Sequence, residues 1–322
     1  MLKRYNIING SITLVEDDSL SAKILVYINP TQEEKPYVID TLHISEYDFS
    51  SAMDIDEVPR LMIEDEYLGI IWKQPSSMTS EEKSLFNVSS TGLFLVQDKL
   101  VFLLSNDYKI ADARFQSKIK SHYDILFHYL YLTIHHYLSH LKVIKMIASE
   151  IQGEINKSMD NQHLIQMMIL SEGLIYYLNA INGNHGVLIR LRNYCDKKEE
   201  LKEKTELLDD IMIENGQCTK QAEVYSQVLS GLMDARGSIV NNNMNTLIKK
   251  LTTINVIFLP LNLIAGIGGM SEYSMMTKNF DWRVSYSVFM ILIIITGIVT
   301  SKIVTHLNIN EKKRSRFMKK II

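Results

Sequence analysis

Two uncharged runs near the C-terminus restrict the fold of this chain more than any other feature. Residues 251–270 contain no charged side chain, and neither do residues 284–301. An α-helix needs about 20 predominantly apolar residues to cross the hydrocarbon core of a bilayer. The alternative is a pair of buried core helices, but core helices rarely stay uncharged on every face over this length. The sequence therefore predicts a membrane protein with two transmembrane helices, at 251–270 and 284–304.

The charges that flank these runs predict the orientation of the chain. Lys249 and Lys250 precede the first run, and seven lysines and arginines follow the second, at Lys302, Lys312, Lys313, Arg314, Arg316, Lys319 and Lys320. The outer loop between the runs, residues 271–283, holds only one lysine and one arginine, offset by one glutamate and one aspartate. Because lysine and arginine accumulate on the cytoplasmic side, we expect both termini in the cytoplasm of a cell with this protein in its inner membrane.

Overall charge and cysteine content exclude several functional classes. A formal net charge of −3 gives no electrostatic reason to bind nucleic acid. Cys195 and Cys218 are too few for a disulfide framework and fit a reducing compartment. The glycines Gly266, Gly268 and Gly269 do not form a nucleotide-binding GxGxxG loop, since they follow an apolar helix rather than a strand. With no pattern of nucleophile and base either, we expect neither an enzyme nor a bound cofactor.

Residues 1–116 alternate β-rich and turn-forming stretches, which predicts a cytosolic α/β domain. The last two β-rich stretches are separated by Gln97-Asp98 and predict a hairpin. The expected strands lie at 11–15, 22–28, 37–39, 67–72, 92–96 and 100–104.

Residues 117–250 are poor in proline and glycine and carry apolar residues at helical spacing. From about Arg190 the pattern meets no proline until Pro260, which predicts a stalk helix too long for one globule and in need of partner chains. A basic cytosolic tail, residues 305–322, ends the chain. Helices are expected near 117–160, 163–182 and 185–270, with breaks at Asp160-Asn161 and Asn182-Gly183-Asn184.

A short histidine motif lies within this helical region. His135, His136 and His140 occur in "HHYLSH", and the last two have the i, i+4 spacing of a metal-binding helix. The glutamate of an HExxH motif is missing. We therefore interpret them as surface histidines of an amphipathic helix rather than as a metal site.

Polar residues recur at heptad spacing where the stalk enters the membrane. One helix face carries Asp234, Ser238, Asn241, Asn245, Ile248, Thr252, Asn255, Leu259, Asn262 and Gly266. Because asparagine is costly in hydrocarbon, Asn255 and Asn262 should face protein or water. The face either joins helices through hydrogen bonds worth about 0.6–2 kcal/mol each, or lines a water-filled pore. Repetition over several heptads favours the pore.

The chemistry of this face favours a hydrated ion. Mg²⁺ dehydrates reluctantly, and neutral oxygens accept hydrogen bonds from its waters weakly enough for conduction. At membrane depth the face has no carboxylate, histidine or cysteine, so a dehydrated zinc site is not expected there. Leu251 and Leu259 are placed to form apolar constrictions.

The segment "DARGSIVNNNMNTLIKKLTTINVIFLPLNLIAGIGGMSE" resembles the pore helix of the CorA family of divalent-cation (Mg²⁺/Co²⁺/Ni²⁺) channels. "DWRVSY", "DEVPRLMIEDEYLGIIW" and "LFLVQDKLVFLL" extend the resemblance over nearly the whole chain. It implies a funnel-shaped homopentamer in the lipid bilayer, with a cytosolic α/β domain, a long stalk helix and two transmembrane helices per chain.

The resemblance also assigns residues to the pore. The family's Gly-Met-Asn signature falls on Gly269, Met270 and Ser271, with serine replacing asparagine and Gly268 replacing a tyrosine. It implies that this ring holds the hydrated ion at the outer mouth, where the shorter serine alters selectivity. The full expected pore and selectivity set is Asn245, Ile248, Leu251, Thr252, Asn255, Leu259, Asn262, Gly266, Gly269, Met270, Ser271 and Glu272.

The same resemblance also implies a regulatory role for two aspartates. Asp210 falls on a stalk carboxylate that shares a regulatory Mg²⁺ with an acidic residue of a neighbouring subunit, for which Asp40 is one candidate, and Asp234 falls on a ring at the cytosolic end. Bound Mg²⁺ would bridge subunits and favour closure. The alternative for Asp209-Asp210 is a solvated helix face.

We therefore expect a CorA-like channel for divalent cations, with Mg²⁺ as transported and regulatory ion and Co²⁺ or Ni²⁺ as further substrates. Two alternatives stay open. One is a ZntB-like Zn²⁺ transporter, coupled to protons or not. The other is a membrane-anchored oligomeric sensor or scaffold without transport.

Overall fold

A computed structural model describes residues 1–8, 10–15, 22–76, 86–108, 110, 119–154 and 162–318. The chain divides into two compact units, Met1–Asp234 and Ala235–Ile322. The expected boundary between the α/β and helical regions, at 116/117, lies outside the described residues.

The first unit contains a seven-stranded sheet with strand order β2-β1-β3-β7-β6-β5-β4. β3 and β7 pair in parallel, and all other neighbours are antiparallel. The strands are β1 (Leu2–Ile8), β2 (Ser11–Leu14), β3 (Ile24–Ile28), β4 (Arg60–Ile63), β5 (Tyr67–Pro75), β6 (Val88–Val96) and β7 (Lys99–Leu104).

Helices cover both faces of this sheet. Helix α1 (Glu46–Met53) starts at Ser45, whose hydroxyl accepts a hydrogen bond from the Asp48 amide at 3.1 Å, and packs on one face. Phe94 and Leu103 are fully buried there. On the other face, the ring of Phe102 meets that of Tyr129 on helix α2 (His122–Glu154) at 5.1 Å. Burial on both faces explains why the central strands are almost continuously hydrophobic.

Most of the predicted strands are confirmed, with corrections at their ends. The hairpin between β6 and β7 turns at Gln97, whose φ of 51° lies in the left-handed region. The strand predicted at 37–39 is wrong, because a π-helical turn, Tyr37–Thr41, begins after Pro36, whose φ of −61° suits a helix start. β1 and β4 were not predicted, since both carry charged residues and only part of each is buried.

The break predicted at Asn182-Gly183-Asn184 is wrong, because helix α3 (Gln162–Asp196) runs through it. Gly183 lies against the ring of Pro59, where an added Cβ would come within 2.7 Å. The Asn184 side chain accepts a hydrogen bond from the Lys73 amide at 3.0 Å and donates one to the Lys73 carbonyl at 2.7 Å. Gly183 and Asn184 are residue types that favour turns, but here they lie within a helix and contact Pro59 and Lys73. The break predicted at Asp160-Asn161 lies outside the described residues.

The stalk helix begins later than predicted. After α3 ends, Lys198 is extended and a 3₁₀ turn, Glu199–Lys204, buries Leu201 before helix α4 (Thr205–Gly268) starts. The uninterrupted pattern from Arg190 therefore spans two helices. Arg192 of α3 and Asp209 of α4 form an ion pair at 2.6 Å across this joint.

The second unit contains the end of α4, the short helix α5 (Ser271–Met276) and helix α6 (Trp282–Met318). α4 closes at its C-terminus when the Gly269 amide donates to the carbonyls of Ala265 and Gly266, at 3.1 and 3.2 Å. Within the described part of the chain, three helical segments are long and apolar enough to cross a membrane: Gln162–Asp196, Glu199–Gly268 and Trp282–Ile303. The second segment contains the first uncharged run except for its last two residues, and the third segment contains the second run.

Candidate ion-conduction site

Helix α4 presents two different faces in the second unit. The first face is half-buried at Thr253, Ile257, Leu261, Ile264 and Gly268. Leu261 lies beside Gly297 of α6, and Gly268 lies beside Phe289. This face therefore packs against α6.

The eight α4 residues predicted to line the pore lie on the opposite side of the helix. At about 100° per residue, the centre of this set lies roughly half a turn from the face that meets α6. All eight are exposed: Asn245, Ile248, Leu251, Thr252, Asn255, Leu259, Asn262 and Gly266. We call them the pore seam. Helix α6 thus covers one side of α4 and leaves the pore seam uncovered.

Two amides of the pore seam have no hydrogen-bond partner among the residues that the structure describes. In the described ranges, no hydrogen bond involves the side chain of Asn255 or Asn262, whereas the Thr252 hydroxyl donates to the Ile248 carbonyl at 2.8 Å. A polar group in hydrocarbon without a partner costs several kcal/mol. These two amides therefore require water or another chain at membrane depth.

The segment after α4 carries the predicted mouth residues. Met270 is extended, with φ −80° and ψ 149°, and separates Gly269 from α5. Ser271 begins α5 and donates a hydrogen bond from Oγ to Glu272 Oε2 at 3.2 Å. Both side chains are exposed, so a carboxylate that accepts a hydrogen bond from a hydroxyl lies just beyond the end of α4.

Two aromatic residues that sequence reasoning missed attach this mouth to α6. The ring of Tyr273 lies 5.4 Å from that of Phe289, and its hydroxyl lies 3.4 Å from Ser285 Oγ. The Phe289 ring occupies the space that a side chain at position 268 would fill. The replacement of the family's tyrosine by Gly268 was the signal for this contact.

The predicted regulatory acids lie apart within one chain, and the predicted bridge from Asp210 to an acid of a neighbouring subunit stays a prediction. Asp210 and Asp234 are both exposed on α4 and lie about 36 Å apart along the helix axis. Asp40 is exposed on the π-helical turn and does not line the cavity beside Asp210. Asp210 instead shares that cavity with Glu214, one helical turn further on, which the sequence reading did not select. Among the described residues, no three His, Cys, Asp or Glu side chains form a metal-binding group.

The prediction that the histidines of this motif lie on the surface is wrong for His140. His140 is 6% exposed, and its Nδ1 is hydrogen-bonded to the Tyr177 hydroxyl. The His136 and His140 rings lie 4.4 Å apart. Burial, and beyond it the neighbouring His136, lowers the pKa of His140 to about 4. The pair is therefore neutral and structural at neutral pH.

An α/β unit continued by a long helix with an uncovered polar face, and followed by a second apolar helix, defines a membrane transport protein. The chain belongs to the family of CorA-like Mg²⁺ transporter proteins, whose model matches residues 21–307. Members of this family are transport proteins and not enzymes.

The similarities extend over most of the chain. The cobalt/magnesium transport protein CorA of Methanocaldococcus jannaschii is 25% identical over 279 residues, which cover 82% of this chain and 86% of the relative. The structure of the complete CorA magnesium transporter from that organism matches with a TM-score of 0.73 at 20% identity, covering 94% of this chain and 96% of the other. The ZntB cytoplasmic domain from Vibrio parahaemolyticus matches with a TM-score of 0.60 at 12% identity, covering 74% of this chain and 98% of the domain.

Proposed function

We propose that this protein conducts Mg²⁺ through a pore lined by the pore seam of α4 in a homopentamer. The observation that carries this proposal is the position of the seam. Its amides point away from the contact with α6 and lack partners, at a depth where polar groups require them. Five copies of α4 around an axis give these amides water and keep them from lipid.

Each part of the seam has a defined role in this proposal. The amides of Asn255 and Asn262 accept hydrogen bonds from the waters around the ion, so that Mg²⁺ passes without losing its hydration shell. The apolar rings of Leu251 and Leu259 close the pore by excluding water. At the mouth, Glu272 raises the local concentration of cations, and the Ser271 hydroxyl contacts their hydration waters.

The two spans of the proposal are α4 and α6. The third apolar helix, α3, is bound to β5 through the hydrogen bonds of Asn184. In its most apolar stretch of 18 residues 39% is buried within the chain, against 0% in the corresponding stretches of α4 and α6. The distribution of lysine and arginine then supports an inner-membrane protein with both termini in the cytoplasm.

Regulation by cytosolic Mg²⁺ is part of the same proposal. Carboxylate oxygens are the ligands that Mg²⁺ prefers, and Asp210 and Glu214 offer two of them one helical turn apart. Asp234 offers a further ring near the cytosolic entrance. An ion bound there would join neighbouring stalks and favour the closed pore.

Zinc transport is the second candidate, and the mouth supports it. Serine stands at position 271 where the family signature has asparagine, and 74% of the chain is similar in fold to a ZntB cytoplasmic domain. At this position a hydrated ion would meet the short hydroxyl of Ser271 beside the carboxylate of Glu272, whereas the family signature offers a ring of longer amides.

Cation uptake into proteoliposomes tests both candidates. The purified chain is reconstituted, and uptake of Mg²⁺ is measured against competing Zn²⁺, with and without a pH gradient. Preference for Mg²⁺ without need of a proton gradient supports the first candidate, whereas proton-dependent Zn²⁺ uptake supports the second. Absence of flux of Mg²⁺, Co²⁺, Ni²⁺ and Zn²⁺ would leave a membrane-anchored sensor or scaffold and overturn transport.

A further inference from the structure

A cavity of about 450 Å³ lies between helices α2 and α4 in the first unit. This volume falls within the range of about 300–1,000 Å³ that small-molecule sites occupy. Most of the lining is apolar. Ile119 and Phe127 are buried, whereas Leu207 and Ile213 are 40% and 60% exposed. Exposed aliphatic side chains around a cavity gain free energy when an apolar ligand covers them.

The polar part of the lining is negatively charged. Asp124 already has a partner, because the Lys204 ammonium binds it and also donates to Ser121 Oγ at 2.8 Å. Asp210 and Glu214 lie one turn apart on α4, and neither forms an ion pair or hydrogen bond within the described residues. The cavity therefore carries two uncompensated carboxylates beside an apolar surface.

An aromatic wall completes the cavity. His128 is 5% exposed, and its ring stacks on that of Tyr131 with an interplanar angle of 26°. The two rings add aromatic surface against which a methylene chain can pack.

These three features together select one ligand class. A hydrated metal ion would use the carboxylates but gain nothing from the aliphatic and aromatic walls. A simple anion is repelled. We infer that the cavity binds a linear alkyl diammonium cation, whose charged ends meet Asp210 and Glu214 and whose methylene chain covers Ile213 and Leu207. The binding does not depend on the proposed transport. One consequence rests on the proposed function: this ligand would compete with regulatory Mg²⁺ for Asp210.

Isothermal titration of the full chain in detergent, free of divalent cations, tests the inference with 1,5-diaminopentane as the probe. We expect saturable binding of one diamine per chain. Glu214→Gln and Asp210→Asn should each weaken it about tenfold, because each removes one charged partner. Glu223→Gln removes an exposed charge from the same helix outside the cavity, and should leave the affinity unchanged.

The apolar half of the site is tested by ligand length and by one substitution. Affinity should rise from 1,3-diaminopropane to 1,5-diaminopentane, both of which are dications at neutral pH, and Ile213→Ser should abolish this rise. The inference is overturned if the diamine does not bind, if Glu214→Gln binds it as well as the original chain, or if affinity is independent of chain length. Titration does not depend on flux, so these outcomes can be judged even if the protein does not transport ions. Likewise, a failure to bind the diamine would leave the flux measurements unaffected.

Discussion

The aromatic ring of Phe289 in α6 occupies the space above Gly268 at the end of α4. A Cβ added at position 268 would lie 2.2 Å from Phe289 Cζ, whereas a Cβ at Gly266, two residues earlier, would meet nothing within 4 Å. Gly268 therefore lies in close contact with α6, and Tyr273 packs on the same ring.

Alanine at these two glycines should have opposite effects. Gly268→Ala forces the Phe289 ring to move, and should destabilise the protein by roughly 1–3 kcal/mol. Gly266→Ala adds no clash and should stabilise the helix by up to about 1 kcal/mol. Thermal unfolding in detergent measures both. Phe289→Ala in the Gly268→Ala background should relieve the clash, and equal melting temperatures for the two single variants would contradict this packing.

Asn184 should be essential to the joint between α3 and the sheet. β4 pairs with β5 only as far as Ile71, and the Asn184 amide takes over the backbone groups of Lys73 beyond that point. Asn184→Ala leaves both groups unpaired, which should cost roughly 2–4 kcal/mol. Asn182→Ala is the matched control, because Asn182 is exposed on the same helix. Unfolding midpoints that agree for the two variants would show that this pairing contributes nothing.

Glu272 should accelerate cation entry. It is exposed beside Ser271 at the end of the pore helix, so Glu272→Gln should lower the initial rate of Mg²⁺ uptake about threefold to tenfold at low ionic strength, with a smaller effect at high salt. Asp281→Asn changes the other acid of the outer loop and keeps a side chain that suits the start of α6. A salt-independent effect, or an equal effect at both positions, argues against a local role of Glu272.

The folded protein should lose stability as the pH falls from about 6.5 to about 4, in part because of His140. Its pKa is lowered from 6.5 to about 4 by burial and by His136. Between these values the unfolded chain binds a proton at this site that the folded chain does not, so acid favours unfolding. His140→Gln should show a smaller drop in melting temperature between pH 7 and pH 5. His163→Gln, at a half-buried histidine that contacts Gln166 on the same helix, should follow the original chain, and identical curves for all three would exclude this contribution.

Features with a local cause could be predicted from the sequence, and features with a tertiary cause could not. The absence of charge in the two runs and the Gln97-Asp98 turn are properties of adjacent residues. Asn182-Gly183-Asn184 has the composition of a turn, but contacts with Lys73 and Pro59 override that preference.

The candidate site divides in the same way. Heptad spacing identified the pore seam except for Leu251, because residues on one helix face follow from the sequence alone. Glu214 and Phe289 were missed, since their positions depend on the packing of α4 against α2 and α6. Whether the seam lines the ion path stays a prediction.

Flux through the Asn262→Leu variant tests the central claim most directly. Asn262 lies in the pore seam, whereas Thr253 is a polar residue of the same helix on the face toward α6. In proteoliposomes, Asn262→Leu should reduce Mg²⁺ uptake at least about tenfold while the oligomer keeps its size on gel filtration, because leucine cannot replace the amide that contacts the hydrated ion. Thr253→Val should retain uptake. Undiminished uptake by an intact Asn262→Leu oligomer would contradict a pore along this face of α4.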